Sequence, residues 1–164
     1  MDEFNVLDHE TKQLDELGEQ FLHALALKDK GHIDKAKETL ESILRTEPRL
    51  AEPRMELARI FLDTDRVEDA EEHASQALED LNNHGQWVEN VSENTLTALA
   101  HALVAEALRR RADEDDIIFG DPDVFKDILK RSQSHFKKAA ELDPRDEYSS
   151  YHAFFMGPEK KKTN

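Results

Sequence analysis

The sequence contains no cysteine and little glycine or proline, with five of each among its 164 residues. Without cysteine the chain can form no disulfide, no thiolate zinc site and no cysteine nucleophile. Glycine and proline together reach only about half of their usual share. Leucine and alanine far outnumber valine and isoleucine. Because this balance favours helices over strands, the composition predicts a helical protein with one domain of ordinary size.

Long apolar runs are also absent, since no 18 consecutive apolar residues occur anywhere in the sequence. A membrane-spanning helix needs a run of about that length, so we expect no membrane insertion. The first ten residues, MDEFNVLDHE, are acidic and do not form a charged leader followed by an apolar segment. We therefore expect no signal peptide and a cytoplasmic location.

Positive charge is scarce, because 22 lysines and arginines face 37 acidic residues and leave a formal net charge of −15. Such a field repels phosphate groups, which disfavours nucleic acid and anionic membrane surfaces as partners. Residues 51–93 are especially acidic and contain only three cations, Arg54, Arg59 and Arg66. Two interpretations remain open: the charge selects a basic partner, or it merely solvates exposed helix faces.

An internal repeat is the strongest pattern in the sequence. Small and apolar residues recur between positions i and i+34, in the pairs Ala24 and Ala58, Leu27 and Phe61, Ala36 and Ala70, and Ile43 and Ala77. Residues 31–36 align with residues 65–70, each a turn followed by the start of a second helix. Small side chains at matched positions allow two antiparallel helices to approach closely.

The second copy of this repeat carries a recognisable motif. The run Leu57-Ala58-x-x-Phe61, with Ala70, Ala74 and Ala77 after it, resembles the signature of the tetratricopeptide repeat (TPR) family. The string AAELDP at 139–144 is similar to the usual end of such a repeat. The resemblance covers roughly residues 17–144 and implies an all-α fold, a right-handed α-solenoid of antiparallel helix pairs. One pair buries a single face, so neighbouring pairs must stack.

The resemblance divides a single predicted domain, residues 1–156, into three units and a cap. The units span about 17–50, 51–84 and 93–144, followed by a capping helix at 145–156 and a disordered basic tail at 157–164. A first helix is expected to begin at Asp8 or His9. Proline ends two of the predicted helices, at Pro48 and Pro144, because it lacks the N–H and disfavours a helical residue before it.

The third unit is longer than the others. Ser132 lies much farther along the sequence from Ala100 than the corresponding Ala36 lies from Ala24, which indicates an insertion. The first helix is expected to continue through Arg109–Arg111, and the second to begin at Asp121-Pro122, a cap followed by proline in the first turn. The third unit is therefore predicted to be an extended helical hairpin.

Two apolar features interrupt the repeat pattern. Ile117, Ile118 and Phe119 lie at the acidic hairpin tip, either as a docking site for a partner or as a plug folded back onto the hairpin. The plug is the preferred interpretation, because three exposed apolar residues in a row favour aggregation. Trp87, in the linker between the second and third units, is expected to cover the joint between them rather than act as a binding hot spot.

Motifs that carry catalytic or metal chemistry are absent. No two of the eight histidines lie three or four residues apart on one predicted helix, and no HExxH sequence occurs. The acidic string 113–116 cannot start an EF-hand loop, since Ile118 stands where glycine is needed and Val124 where glutamate is needed. Phosphate-binding, nucleophile-elbow and dinucleotide motifs are lacking too. We expect no metal, no cofactor and no enzymatic activity.

The TPR resemblance implies that the first helix of each pair lines a concave groove for a peptide or a partner helix. Helical facing assigns twelve residues to this groove: Phe21, Leu22, Leu25 and Lys28; Met55, Glu56, Arg59 and Leu62; and Thr97, His101, Val104 and Ala105. The alternative is that Phe21, Leu25 and Leu62 simply pack against neighbouring helices. The groove helices of the first two units contain no asparagine, which argues against the carboxylate clamp of TPR co-chaperones.

These observations lead to one functional hypothesis and two alternatives. The leading hypothesis is a non-catalytic, chaperone-like adaptor that holds a segment of a partner protein in the groove, with a basic segment as one candidate. The first alternative is a structural scaffold that assembles into homo-oligomers through the hairpin tip or the terminal helices. The second is a TPR protein similar to the secretion chaperones.

Overall fold

The computed structural model of the chain describes residues 3–87 and 91–145. All regular secondary structure in these ranges is helical, as the composition predicts. The helices are α1 (Glu3–Asp29), α2 (Ile33–Thr46), α3 (Ala51–Asp63), α4 (Val67–Asn82), α5 (Glu93–Ala112), α6 (Asp115–Ile118) and α7 (Pro122–Leu142). The predicted start of the first helix at Asp8 or His9 is wrong, because α1 begins earlier, at Glu3.

The chain divides into two compact units, Met1–Arg49 and Leu50–Asn164. This division falls at the border between the first two predicted repeat units. In the first unit α1 and α2 pack against each other. The residues of this unit that lose nearly all contact with solvent are Leu17 and Ala24 on α1 and Ala36, Leu40 and Ile43 on α2. Their spacing of three, four or seven positions within each helix places them on one face.

The internal repeat is visible in the backbone hydrogen bonds of two turns. His32 N donates to Leu27 O at 2.8 Å, and at the equivalent position of the second copy Arg66 N donates to Phe61 O at 2.8 Å. Gly31 and Asp65 occupy the left-handed region at equivalent positions, with φ of 85° and 59°. One turn therefore forms twice, although glycine, which has no Cβ, occupies the left-handed position in only one copy.

In the second unit α4 packs between α3 and α5, and α5 packs between α4 and α7. Two apolar clusters form the core. One contains Ala51, Met55, Ala77, Leu81, Leu96 and Ala100; the other contains Ala58, Ala74, Val104, Leu108, Ala112 and Ile128. The many alanines in both clusters allow the close helix approach that the sequence pattern predicts.

Antiparallel pairing of α3 and α4 is fixed at both ends by polar and aromatic contacts. The rings of Phe61 and His73 stack with their centroids 5.3 Å apart, and the Arg66 guanidinium lies 5.1 Å from the centre of the Phe61 ring. At the other end Arg54 Nε lies 3.2 Å from Asp80 Oδ2, and both side chains are largely buried.

The linker after α4 folds back onto the start of α3. Gly85 O accepts a hydrogen bond from Ala51 N at 3.0 Å, and the buried Glu52 carboxylate accepts one from Trp87 N at 2.9 Å. Half-buried Val91 packs against the apolar cluster that α3, α4 and α5 share. The half-buried Trp87 thus lies beside the N-terminal end of α3.

The third unit is an extended hairpin of α5 and α7, as predicted. Ser92 and Asp121 cap the two helices, accepting hydrogen bonds from Thr95 N at 3.1 Å and Asp123 N at 2.9 Å. The helix α5 runs through Arg109–Arg111, and α7 ends at Leu142, just before Pro144. The predicted basic tail and all of the predicted capping helix beyond Arg145 lie outside the described residues.

None of the helices in the described part of the chain combines the length and the apolar character that crossing a lipid bilayer requires.

Candidate functional site

The solvent-facing side of α3 is narrow. Most of this helix is buried, and Glu56, Arg59 and Asp63 form a stripe that reaches solvent, with the spacing of one helix face. Arg59 Nη1 donates to Glu56 Oε1 at 2.7 Å, so the two side chains hold each other in place. Charged residues, not apolar ones, therefore mark the accessible face of α3.

The neighbouring helix α5 runs in the same direction as α3 and presents a stripe of its own. This stripe contains Leu99, Ala102, Glu106 and Arg109, all at least partly exposed. The Glu106 carboxylate accepts hydrogen bonds from Arg109 Nη2 at 2.7 Å and from Arg110 Nε at 2.9 Å. Arg110 Nη1 also donates to Leu62 O at 2.7 Å and so joins the C-terminal ends of the two helices.

We refer to these two stripes, Glu56, Arg59 and Asp63 on α3 with Leu99, Ala102, Glu106 and Arg109 on α5, as the α3–α5 face. Its side chains carry both charges beside modest apolar surface. Because intrahelical ion pairs already restrict the long arginine side chains, less rotamer entropy remains to be lost when a partner binds.

Two of the predicted groove residues on α3 are buried. Met55 is 3% exposed and belongs to the core cluster with Leu81 and Leu96, and Leu62 is 6% exposed. Their assignment to an open groove needs correction, because side chains without solvent access cannot contact a partner. The other two, Glu56 and Arg59, are half-buried and belong to the α3–α5 face.

The predicted groove face of α5 also needs correction. Val104 and Ala105 have essentially no solvent exposure. Val104 packs in the core, and Ala105 O accepts the hydroxyl hydrogen bond of buried Ser132, on α7, at 2.7 Å. Thr97 and His101 are half-buried. The predicted residues thus lie on the sides of α5 that pair with its neighbours, and the accessible stripe lies elsewhere on the helix.

The predicted groove residues of the first unit all lie on α1. Phe21, Leu25 and Lys28 are half-buried, whereas Leu22 is 68% exposed. Leu14 is also exposed, at 40%, so two large apolar side chains reach solvent in the part of α1 whose side chains the structure describes. These residues belong to a compact unit of their own and are described separately from the α3–α5 face.

A histidine pair links the two helices of the hairpin. His101 Nδ1 and His135 Nδ1 lie 2.9 Å apart, and the ring centroids are 5.2 Å apart. This distance requires one ring nitrogen to donate a hydrogen and the other to accept it, so at least one ring is neutral. The helical-spacing criterion missed the pair, because its members lie on different helices.

The environment of the pair disfavours protonation. Burial, with His135 and Lys138 nearby, lowers the pKa of His101 to about 4. Burial also lowers the pKa of His135, with Arg131 adding to the effect and Glu71 opposing it. Both rings are therefore neutral at pH 7. In the described part of the chain no group of three His, Asp or Glu side chains is arranged to hold a metal ion.

Comparison with known protein families agrees with the repeated turn geometry. The family model described as "Tetratricopeptide repeat" matches residues 27–89, the segment that contains both copies of the turn. Residues 27–89 therefore resemble tetratricopeptide repeats in sequence. The match covers α2, α3 and α4 with the last three residues of α1, and the extended hairpin α5–α7 lies beyond it.

A solved structure shares this TPR fold at low sequence identity. A monomeric mutant of IFIT1 with Gppp-AAAA is 18% identical, with a TM-score of 0.62, over 87% of this chain. The chain spans 29% of the length of that protein. The fold class is thus all-α, with antiparallel helix pairs of the α-solenoid type.

Two further comparisons add less. YrrB, titled a TPR protein with an unusual peptide-binding site, is 15% identical, with a TM-score of 0.42, and the match covers 99% of this chain and 86% of YrrB. None of the curated protein sequences matches this chain.

The register of the α5–α7 hairpin places the two histidines opposite each other. Ile118, at the tip, lies midway between His101 and His135 in the sequence. In an antiparallel hairpin, residues at equal distances from the tip face each other. The sequence alone does not fix this register, because the midpoint of Arg111 and Asp121 is position 116, which would pair His101 with Arg131.

Proposed function

We propose that this TPR protein is a non-catalytic adaptor that binds a helix or an extended segment of a partner protein on the α3–α5 face. The observation that carries the proposal is the row of half-exposed, mutually paired charges on two parallel helices. Arg59 with Glu56, and Arg109 with Glu106, form intrahelical pairs at 2.7 Å. Helix-in-groove recognition uses such mixtures of apolar and polar side chains.

The apolar part of the face supports the same proposal. Leu99 is 36% exposed, and half-exposed Ala102 follows it on the same stripe of α5. A partner segment that covers Leu99 would remove apolar surface from water, and its polar groups would meet the charged side chains of Glu106 and Arg109. Such a face selects a segment by its chemical pattern and performs no reaction on it.

Affinity capture from native extract tests this proposal. The variant Arg59→Glu/Leu99→Asp changes two accessible side chains of the face, whereas Leu62 is unsuitable because it is buried. We expect the wild type to retain a partner that the variant loses, with at least a tenfold weaker affinity for the isolated partner segment. Circular dichroism must show an unchanged helix content.

The matched control is Arg45→Glu, the same charge reversal at an exposed position of α2. It should capture the partner as well as the wild type does. Equal recovery by the wild type and the double variant would exclude the α3–α5 face as the binding site. A reproducible turnover abolished by one carboxylate substitution would contradict the non-catalytic part of the proposal.

A further inference from the structure

The end of the hairpin, residues 113–124, is a second candidate surface, which we call the hairpin tip. Its apolar residues divide into two groups. Ile117 packs inward against the cluster that contains Val104 and Leu108. Phe119, by contrast, is 83% exposed, and Ile118 and Val124 are 45% and 44% exposed. Only Ile117 acts as the plug that the sequence predicts, and three large apolar side chains remain in water.

The exposed residues are held on an ordered backbone. Ile118 N and Phe119 N donate to the carbonyls of Glu114 and Asp115, each at 2.9 Å. A Cβ at Gly120 would collide with Asp116 O, so the tight turn after Phe119 admits only glycine without a backbone shift. Large apolar side chains that stay exposed on an ordered backbone are typical of an interaction site.

Charge around the patch indicates what kind of partner fits. Residues 113–123 contain six carboxylates and no lysine, arginine or histidine. Burial raises the pKa of Glu114, the nearby carboxylates of Asp116 and Glu68 add to the effect, and Arg111 opposes it. A cation placed among these groups would relieve their repulsion.

A cleft beside the tip offers room for such a cation. It has a volume of about 290 Å³ and is lined by Asp65, Val67, Arg110, Asp113 and Glu114. Arg110 is the one cation among the lining residues, and its guanidinium is bonded to Glu106 and to Leu62 O. The lining contains three carboxylates, of which Asp113 already lies 3.7 Å from Arg109 Nη1. The negative charge of Asp65 and Glu114 suits a lysine or arginine side chain.

We propose that the hairpin tip docks a basic, amphipathic segment of a partner protein, with an apolar side chain on Phe119 and cations among the surrounding carboxylates. This surface adjoins the α3–α5 face, because Asp113 lies 3.7 Å from Arg109, but its exposed apolar residues are not part of that face. Two copies of the chain meeting tip to tip would bring like charges together, which disfavours that arrangement. A second copy that docks in another way is an outcome of the test.

Fluorescence anisotropy with two labelled peptides provides the test. The probes are a short helical peptide of leucine and lysine and a matched peptide of leucine and glutamate. We expect the full chain to bind the lysine peptide and not the glutamate peptide. Phe119→Ser should weaken binding at least tenfold, whereas Leu22→Ser, which changes a comparably exposed leucine on α1, should have no effect.

The negative charge of the tip and its backbone conformation are tested with separate variants. Asp115→Asn/Asp116→Asn should weaken binding several-fold and flatten its salt dependence. Glu38→Gln/Glu79→Gln removes the same charge at exposed positions outside the tip and should preserve binding. Gly120→Ala should also weaken binding, because it displaces the backbone that holds Phe119 and changes neither charge nor an apolar side chain.

Three results would overturn the proposal. The first is no binding of the lysine peptide by the wild type. The second is equal losses from Phe119→Ser and Leu22→Ser, which would indicate non-specific attraction to an acidic protein. The third is a dimer in sedimentation that Phe119→Ser converts to monomer, which would assign the tip to a second copy. Capture on the α3–α5 face should survive every tip variant, so the two proposals can fail independently.

Discussion

The helix pair α3–α4 and the hairpin α5–α7 both bury apolar side chains between antiparallel helices, but they differ in length. A short turn at residues 64–66 joins α3 to α4, whereas residues 113–121 separate α5 from α7. The shorter pair buries nearly all of α3, while the longer hairpin carries Phe119 at 83% exposure. The repeat needs only the shorter form to bury its face. The added length therefore supplies exposed surface at the tip as well as core residues such as Ala112 and Ile128.

The two pairs also differ in how they hold polar groups between their helices. In α3–α4 the pair Arg54 and Asp80 is charged and largely buried. In α5–α7 the contact between His101 and His135 is neutral, because burial lowers the pKa of both rings. Acid is thus expected to weaken the hairpin by protonating this histidine pair.

The largest expected change in the free energy of unfolding lies in the buried body of the hairpin and not at its exposed tip. Phe136 on α7 has no solvent exposure, so Phe136→Ala should leave a cavity and cost about 3–5 kcal/mol of unfolding free energy. Phe119→Ala should change it by less than about 0.5 kcal/mol, since exposed side chains contribute little. Urea denaturation followed by circular dichroism measures both; similar losses would mean that the tip is part of the core.

A smaller loss is expected at the buried ion pair of α3–α4. Arg54→Ala leaves the Asp80 carboxylate, 8% exposed, without the guanidinium, which should cost about 3 kcal/mol. Arg49→Ala removes an arginine that is 83% exposed beside Glu47 and should leave the free energy of unfolding nearly unchanged. The same denaturation assay ranks the two variants, and an equal effect would contradict the importance of burial.

The histidine pair should make stability depend on pH in the mildly acidic range. Unfolded histidine has a pKa near 6.5, above the folded values, so the unfolded chain binds more protons below that pH. Stability should therefore fall as the pH decreases from about 6.5 towards 4, by about 1 kcal/mol at this half-buried, partly screened site. His101→Gln should reduce the slope between pH 7 and 5, and exposed His32→Gln should preserve it.

The smallest effect concerns the repeated turn, which the hairpin does not use. Gly31→Ala should cost about 1 kcal/mol, because φ is 85° there and alanine avoids that region. No atom lies within 4 Å of the new methyl group, so backbone strain is the cause. Asp65→Gly should change stability by less than about 0.5 kcal/mol, since relief of strain and added chain entropy oppose each other. Melting temperatures check both, and a neutral Gly31→Ala would disprove the strain argument.

The sequence predicted the fold well because the repeat constrains it twice. Two copies of one pattern fix the helix pairs, and Asp121-Pro122 marks the start of α7 by its capping chemistry. The start of α1 was missed because the prediction began the helix at the cap-like residue Asp8, although Phe4 and Leu7 continue the apolar spacing of Leu14. Capping residues and prolines thus located the helix ends that carry them, whereas the start of α1 was not located.

Four of the residues predicted to line the groove, Met55, Leu62, Val104 and Ala105, are buried for a physical reason. Helix α5 carries alanine or leucine on every side, so its pattern does not tell which side faces solvent. The extended α7 then covers Ala105 through Ser132, a contact that a repeat of ordinary length would not predict. On α3 the charged residues Glu56 and Arg59 located the accessible stripe better than the apolar Met55 and Leu62 did.

Two nearby residues at the tip show that the sequence alone does not reveal which apolar side chain is buried. Ile117 and Phe119 have the same apolar character, yet one packs inward and the other lies in water. Successive helical residues point about 100° apart, so a shift of two positions decides the outcome. The sequence does not show which of the two faces the core, because that depends on how α6 packs on the hairpin.

The order of helix packing has a kinetic consequence. In the second unit α4 packs on α3 and α5, and α7 packs on α5, so most contacts join helices that are neighbours in the sequence. Such local topology lowers the entropy that loop closure costs before contacts form, and helical proteins of this kind fold in microseconds to milliseconds. The unit should therefore assemble rapidly from any helix pair, and its nascent chain should gain structure as soon as α3 and α4 have emerged during synthesis.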